Sequence, residues 1–126
     1  MNNIHRDATA STPLIHFDWG AGVLEIRGES YPENSYEFYE PILDGVATFL
    51  AEERKPIRLE VDLSYLNTST IKCMMDLLDM LDQVSRKGRS ATVNWYCDPE
   101  NDRAVEMAEE FKEDVALPFN ILTKEI

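Results

Sequence analysis

Three adjacent hydroxyl side chains are the residues of this chain best suited to do chemistry. Thr68, Ser69 and Thr70 follow Asn67 near the middle of the sequence. A hydroxyl can carry a regulatory phosphate, attack a substrate when a base lies beside it, or cap a helix by accepting a backbone N–H. The elements on either side of the cluster limit which of these roles is possible.

The cluster lies where a strand is followed by a helix. Residues 57–63 alternate apolar and polar side chains, which predicts a half-buried strand. After the cluster, side chains recur three or four residues apart, which predicts a helix with one inward face: Ile71, Met74, Met75, Leu78, Leu81 and Ser85. A helix N-terminus has unpaired N–H groups and favours negative charge. Asn67 or Thr68 would be an ordinary N-cap, which the residues alone favour, and a phosphate on Thr68 is the other interpretation.

The remaining pattern alternates strands with helices and predicts a single α/β domain over residues 13–126. Its order is β-β-α-β-α-β-α-β, with further strands at 14–19, 23–27, 91–96 and 118–122. This order predicts a mixed central sheet, antiparallel in the opening hairpin and parallel afterwards, with helices packed against it. Residues 1–12 are expected to form a flexible polar arm. In the first helix, Ser35 is expected to be the cap, Pro41 to cause a kink, and the inward stripe to be Tyr36, Tyr39, Ile42, Leu43, Val46, Phe49 and Leu50.

Composition excludes several classes of function. The 126 residues carry a net charge of −12, which argues against binding to nucleic acid or to an anionic membrane. No apolar run is long enough to cross a bilayer, and the N-terminus lacks the apolar region of a secretory signal, so no membrane insertion is expected. Cys73 and Cys97 are expected to be reduced thiols in a cytoplasmic protein. The single basic knot, Arg86, Lys87 and Arg89, is interpreted as a complement to the dipole of the preceding helix.

The usual catalytic constellations are missing from the sequence, so neither a cofactor nor a metal is predicted. His5 and His16 are the only histidines, and neither has a second ligand at metal-binding spacing or lies near the hydroxyl cluster. A phosphoaspartate receiver built on Asp62 is also rejected. It would need further acids at the end of the first strand, and Lys124 lies beyond the apolar part of the last strand. The hydroxyl cluster is therefore the one remaining candidate site.

Several segments resemble a known family. The strand-hydroxyl-helix passage resembles the anti-sigma-factor antagonist (STAS) fold, whose regulatory phosphosite lies at the same junction. More specifically, residues 30–37 (SYPENSYE) and 65–71 (YLNTSTI) are similar to signature segments of the SiaC family of bacterial regulatory phosphoproteins. The similarity includes residues 74–76 (MMD) and 108–111 (AEEF), and it extends over residues 11–119.

This resemblance implies a STAS-like, non-enzymatic adaptor in a phosphorylation cycle. A partner kinase would phosphorylate Thr68, and a metal-dependent serine/threonine phosphatase would remove the phosphate. The unphosphorylated form would bind and activate a diguanylate cyclase, raising cyclic-di-GMP and favouring aggregation and biofilm formation. Asn67, Ser69 and Thr70 would surround the site and contribute to partner binding.

Two other classes of function stay open at this stage. One is an antagonist that binds an anti-sigma kinase in partner-switching control of transcription, against which the segment at residues 30–37 argues. The other is a small enzyme with Thr68 as its nucleophile, which lacks a neighbouring base. The sequence leaves open the oligomeric state, the upstream signal and the wider partner surfaces. Without the family resemblance, Thr68, Ser69 and Thr70 are equivalent candidates for modification.

Overall fold

The computed structural model describes residues 3–124, in which one mixed sheet is combined with three helices. The strands are β1 (Ile4–Arg6), β2 (Leu14–Asp18), β3 (Val23–Ser30), β4 (Ile57–Leu66), β5 (Ala91–Cys97) and β6 (Phe119–Thr123). The helices are α1 (Ser35–Glu52), α2 (Thr68–Arg86) and α3 (Asp102–Glu113). None of these three helices is long and apolar enough to cross a membrane.

The six strands lie side by side in chain order, from β1 to β6. The pairs β1–β2 and β2–β3 are antiparallel, and the pairs from β3 to β6 are parallel. Each helix connects two neighbouring parallel strands, and all three crossovers move along the sheet in the same direction. Because such crossovers are right-handed, the three helices pack on one face of the sheet. The predicted mixed α/β architecture is confirmed.

Strands β1 and β3 differ most from the sequence prediction. Residues 4–6 belong to the expected polar arm, yet they form edge strand β1, paired with β2 from Ile4 opposite Phe17. Residues 1–2 of that arm and residues 125–126 of the expected domain lie outside the described residues. Strand β3 was expected to end at residue 27, but it continues to Ser30 through a register shift after Gly28. Gly28 has a φ of 125°, a conformation that glycine adopts more readily than any other residue.

The first helix continues on both sides of Pro41. It starts at Ser35, and Pro41 lies inside it on the exposed side. Proline cannot donate to the carbonyl of Glu37, but that exposed turn can be hydrated, which lowers the cost of the missing bond. The inward stripes of α1 and α2 are largely as predicted, with two exceptions. Tyr36 is 51% exposed and Met75 is 48% exposed, so both are surface residues.

Of the basic residues at the end of α2, Arg86 interacts within that helix as expected, whereas Arg89 stabilises a different helix. Arg86 pairs with Asp82 one turn earlier, with 3.0 Å between Nε and Oδ2. Arg89 instead reaches the C-terminal end of α1, donating to the carbonyls of Leu50 (2.8 Å) and Lys55 (3.2 Å). Leu50 lies in the last turn of α1, where carbonyls have no partner within the helix, and Lys55 lies just beyond the helix. The guanidinium therefore ties the end of α1 to the start of β5.

A buried carboxylate holds the segment between α3 and β6. Asp82, on α2, is 5% exposed, and its Oδ1 accepts the N–H groups of Ala116 (2.9 Å) and Leu117 (3.1 Å). Burial alone would raise the pKa of this carboxyl. The N–H of Ala116, the Arg86 side chain and the N–H of Leu117 outweigh burial and hold the pKa of Asp82 below its ordinary value.

We predict that Asp82→Asn destabilises the protein more at neutral pH than in acid. A carboxylate whose pKa is lower in the folded than in the unfolded protein stabilises the fold. This stability is complete above the unfolded pKa of about 3.9 and is lost as the pH falls through the folded-state pKa. Urea unfolding at pH 7 and pH 3 should therefore show a larger difference between mutant and wild type at pH 7. The exposed carboxylate in Asp76→Asn is the matched control. A difference that does not change with pH would contradict the assignment.

Candidate functional site

The hydroxyl cluster lies at the carboxyl edge of the parallel strands, where β4 passes into α2. Asn67 is the N-cap, and its Oδ1 accepts the backbone N–H of Thr70 at 2.9 Å. Of the two cap candidates, the structure therefore selects Asn67. Thr68 is the first helical residue, so its side chain is not needed to cap the helix.

A second helix begins beside this one. Asn34, rather than the predicted Ser35, caps α1, because its Oδ1 accepts the N–H of Glu37 at 3.1 Å. Ser35 is the first residue of α1 and donates from Oγ to Oδ1 of Asn67 at 3.3 Å. The N-termini of α1 and α2 are thus joined by side chains, and their positive dipole ends lie at the same edge of the sheet.

A buried hydroxyl network lies beneath the two helix ends. Thr70 is 0% exposed, and its Oγ1 lies 2.9 Å from Oγ of Ser30 and 3.1 Å from Oγ of Ser35. Ser30 in turn lies 2.8 Å from the hydroxyl of Tyr39. Burial raises the pKa of Tyr39 well above its usual range, although the bond to Ser30 opposes this, so the phenol stays protonated. The network connects the end of β3 to both helices. Thr70 was expected to contribute to partner binding, but its side chain is fully buried in the free protein.

The three adjacent hydroxyls therefore have different environments. Ser69 is half-buried, and its Oγ donates toward Oγ of Ser35 (2.8 Å) and Oδ1 of Asn67 (3.2 Å). Thr70 is enclosed in the core. Thr68 is exposed, and no hydrogen bond joins its hydroxyl to another of residues 3–124. Of the three, the hydroxyl of Thr68 is the one that an enzyme could reach without breaking existing bonds.

The exposed hydroxyl lies in an open depression of about 430 Å³. Tyr36 and Lys72 line it together with residues 67–69. Lys72 follows Thr68 by four residues on the same exposed side of α2, where the two side chains are neighbours. A negatively charged group on Thr68 would therefore have an ammonium and a helix N-terminus beside it.

Exposed aromatic side chains lie at the same edge of the sheet. Tyr31 and Tyr65 form an edge-to-face pair with ring centroids 5.8 Å apart, although they are 42% and 48% exposed. The sequence pattern did not single them out, because Tyr31 lies in a segment interpreted as loop and Tyr65 lies beyond the predicted strand at residues 57–63. Tyrosine is enriched in the energetic centres of protein interfaces. The signal that could have found this pair was the presence of one tyrosine near the carboxyl end of each of two neighbouring strands.

The structure places the rejected receiver residue in an ion-pair cluster. Asp62 lies on the sheet face opposite the helices, 3.2 Å from Nζ of Lys124 and 3.9 Å from Arg27. Lys124 lies just beyond β6, as the sequence indicated, yet its ammonium group still reaches Asp62. In the part of the chain that the structure describes, no group of three potential ligands could hold a metal ion. His5 and His16 lie on the β1–β2 pair, within 3.2 Å of each other.

Comparisons with known proteins agree on one family. The family model described as SiaC family regulatory phosphoprotein matches residues 6–124. An uncharacterized protein of Pseudomonas aeruginosa strain UCBPP-PA14 is 48% identical over 121 residues, covering 96% of both chains. The structure of apo-SiaC from Pseudomonas aeruginosa has a TM-score of 0.93 at 47% identity, covering 97% of this chain and 99% of that one. A crystal structure of the diguanylate cyclase SiaD in complex with its activator SiaC, from the same organism, also matches. Its TM-score is 0.93 at 47% identity, covering 96% of this chain and 99% of that one.

We predict that Thr70→Val and Thr68→Val differ sharply in their effect on stability. Valine at position 70 removes one partner of Ser30, which keeps Tyr39, and one of Ser35, which keeps Ser69 and Asn67. The loss of these two buried hydrogen bonds should lower the free energy of unfolding by about 1–3 kcal/mol. The same change at exposed position 68 should stay within about 0.5 kcal/mol of wild type. Urea denaturation measures both values. Equal losses for the two variants would contradict the difference in environment.

Proposed function

The chain belongs to the SiaC family of regulatory phosphoproteins, and from this premise we propose that it binds and activates a diguanylate cyclase. The observation that carries the proposal is its likeness to the SiaC chain of the SiaD–SiaC complex, at 47% identity over 96% of this chain. In that complex SiaC is the activator of the cyclase. Activation raises cyclic-di-GMP and thereby favours aggregation and biofilm formation.

Thr68 is the regulatory phosphosite in this proposal. A partner serine/threonine kinase phosphorylates it, and a metal-dependent serine/threonine phosphatase removes the phosphate. Its exposure and the absence of a hydrogen bond from its hydroxyl to another described residue support this assignment over Ser69 and Thr70. The adjacent SYPENSYE and YLNTSTI segments, which carry the family resemblance, supply the residues around it.

The position of Thr68 explains how a phosphate can switch binding without unfolding the protein. A phosphate adds roughly −1.5 to −2 charges at pH 7. At the first turn of α2 that charge is compatible with the helix dipole and lies near Lys72. The same charge on a surface that a partner must cover costs desolvation energy and weakens association.

Binding rather than catalysis is the activity of the chain itself. The depression around Thr68 is lined by tyrosine, asparagine, serine and lysine side chains, whereas the histidines lie on β1 and β2. A threonine nucleophile needs a general base in contact with it. The free, buried thiols of Cys73 and Cys97 fit a reducing compartment, and we place the protein in the cytoplasm with its cyclase.

We predict that Thr68→Glu weakens binding to the cognate cyclase at least tenfold, equivalent to about 1.4 kcal/mol, because it places a negative charge in the covered surface. Calorimetric titration of purified cyclase with the variant measures the affinity, and cyclic-di-GMP production measures activation. The far-UV circular dichroism spectrum should stay native.

The matched control is Thr68→Ala, which removes the phosphate acceptor without adding charge. It should bind and activate the cyclase like wild type while losing radiolabelling by the partner kinase. If wild-type protein fails to bind any diguanylate cyclase from its own cells, the proposed function is wrong. If Thr68→Glu binds as tightly as Thr68→Ala, charge at this position is not the switch.

A further inference from the structure

Strand pairing brings the two histidines of the chain together, although eleven residues separate them in the sequence. His5 on β1 lies opposite His16 on β2, with 3.2 Å between their Nδ1 atoms. Ile15 and Phe17 are buried in the core, so the alternation of β2 directs His16 to the face of the sheet opposite the helices. Directly opposite residues of an antiparallel pair share a face, so His5 points the same way. His5 is exposed and His16 is half-buried, so solutes can reach the pair.

A carboxylate fixes the tautomer of the first imidazole. Oδ1 of Asp7 lies 2.9 Å from Nε2 of His5. An ionised carboxylate only accepts hydrogen bonds, so Nε2 carries the proton and Nδ1 of the neutral ring keeps its lone pair, directed at His16. Histidines that bind metals are usually oriented in this way, with the second ring N–H donated to a carboxylate or carbonyl. Asp7 and His5 therefore have the arrangement of a supporting carboxylate and a metal ligand.

The distance between the two Nδ1 atoms fits a tetrahedral metal ion. Two ligands on Zn–N bonds of about 2.0–2.1 Å at the tetrahedral angle are about 3.3 Å apart. The observed separation is 3.2 Å. Adjacent ligands of a square-planar Cu²⁺ at a similar bond length are about 2.8 Å apart. Without a metal, Nδ1 of His16 donates to His5. Moving that proton to Nε2 frees the second lone pair and leaves the ring neutral.

The charges around the pair favour a cation. Glu25 lies opposite His16 on β3, on the same face of the sheet, and Asp7 is bonded to the other histidine. Arg27 pairs with Glu25 at 3.4 Å. Two carboxylates and one guanidinium leave one negative charge beside the imidazoles, which attracts a positive ion.

We propose that His5 and His16 bind a zinc ion through their Nδ1 atoms, with water completing the tetrahedron. The ion joins β1 to its neighbour β2, across which β1 is attached to the sheet. Strand β1 has three residues and lies at the sheet edge. Short edge elements open readily, and a ligand that binds only the paired state stabilises that state. Zinc therefore sets how firmly the N-terminal segment is held.

Calorimetric titration of the full chain with zinc chloride, after chelator treatment and dialysis, tests the site. Wild type should bind one zinc ion per chain. His5→Gln and His16→Gln each remove one ligand and should weaken binding at least tenfold. Asp7→Asn removes the orienting carboxylate and should weaken binding about tenfold. The matched control is Asp44→Asn, an equal loss of charge at an exposed position on α1, which should bind within twofold of wild type.

Hydrogen exchange tests the consequence for β1. Zinc should slow amide exchange within residues 4–6 in wild type and leave it unchanged in His5→Gln. Exchange that zinc slows equally in both proteins would contradict the proposed link between β1 and β2.

Two results would overturn the zinc site itself. One is the absence of saturable zinc binding by wild type. The other is wild-type affinity in the double variant His5→Gln with His16→Gln, which would place the ion elsewhere on the acidic surface. A loss of affinity in Asp44→Asn equal to that in Asp7→Asn would show that Asp7 acts only through total charge and would overturn its orienting role.

Discussion

The buried hydroxyl of Thr70 determines how the two helix N-termini meet at the edge of the sheet. Its Oγ1 lies within 3.1 Å of the hydroxyls of Ser30 and Ser35, so the end of β3 and the starts of α1 and α2 are held together. Buried polar groups are costly unless they are paired, and a fully paired network therefore favours one arrangement of the chain. The network holds the start of α2, where Thr68 lies, against β3 and α1, although Thr68 itself takes no part in it.

Neighbouring residues in this arrangement have different structural roles. Asn67 caps the helix, Ser69 and Thr70 contribute hydrogen bonds, and Thr68 is left on the surface at the helix N-terminus. A modification at Thr68 can change what the surface binds without disturbing the bonds beneath it. The proposed switch follows from this separation, since a phosphate on either neighbour would have to break the network.

Periodic patterns allowed much of the fold to be predicted. The alternation in residues 57–63 and the helical spacing after residue 70 correctly indicated β4 and α2, because one-sided burial leaves a clear pattern. Strand β1 and the end of β3 were missed. Residues 4–6 are too few to show alternation, and Gly28-Glu29-Ser30 has the composition of a loop while its backbone pairs with β4. Pairing with a neighbouring strand, which no local pattern records, decided both cases. The relation to anti-sigma-factor antagonists stays a prediction.

The sequence predicted where the site lies but not which of its hydroxyls are buried and hydrogen-bonded. Sequence spacing placed the hydroxyls at a helix start, yet it could not show that Ser30 and Ser35 lie against Thr70 from other elements. Those long-range contacts are what make the three hydroxyls unequal. Likewise, Asn34 and Ser35 are both good capping residues, and only the backbone path selects Asn34.

The central claim is that Thr68 alone among these hydroxyls carries the phosphate. The most direct test is mass spectrometry of the protein isolated from its own cells with phosphatases inhibited. Tryptic cleavage after Arg58 and Lys72 releases one peptide that contains all three hydroxyls. We predict that C-terminal fragments beginning at Thr68 carry the phosphate and that those beginning at Ser69 lack it. Phosphate on fragments that begin at Ser69 or Thr70 would contradict the claim.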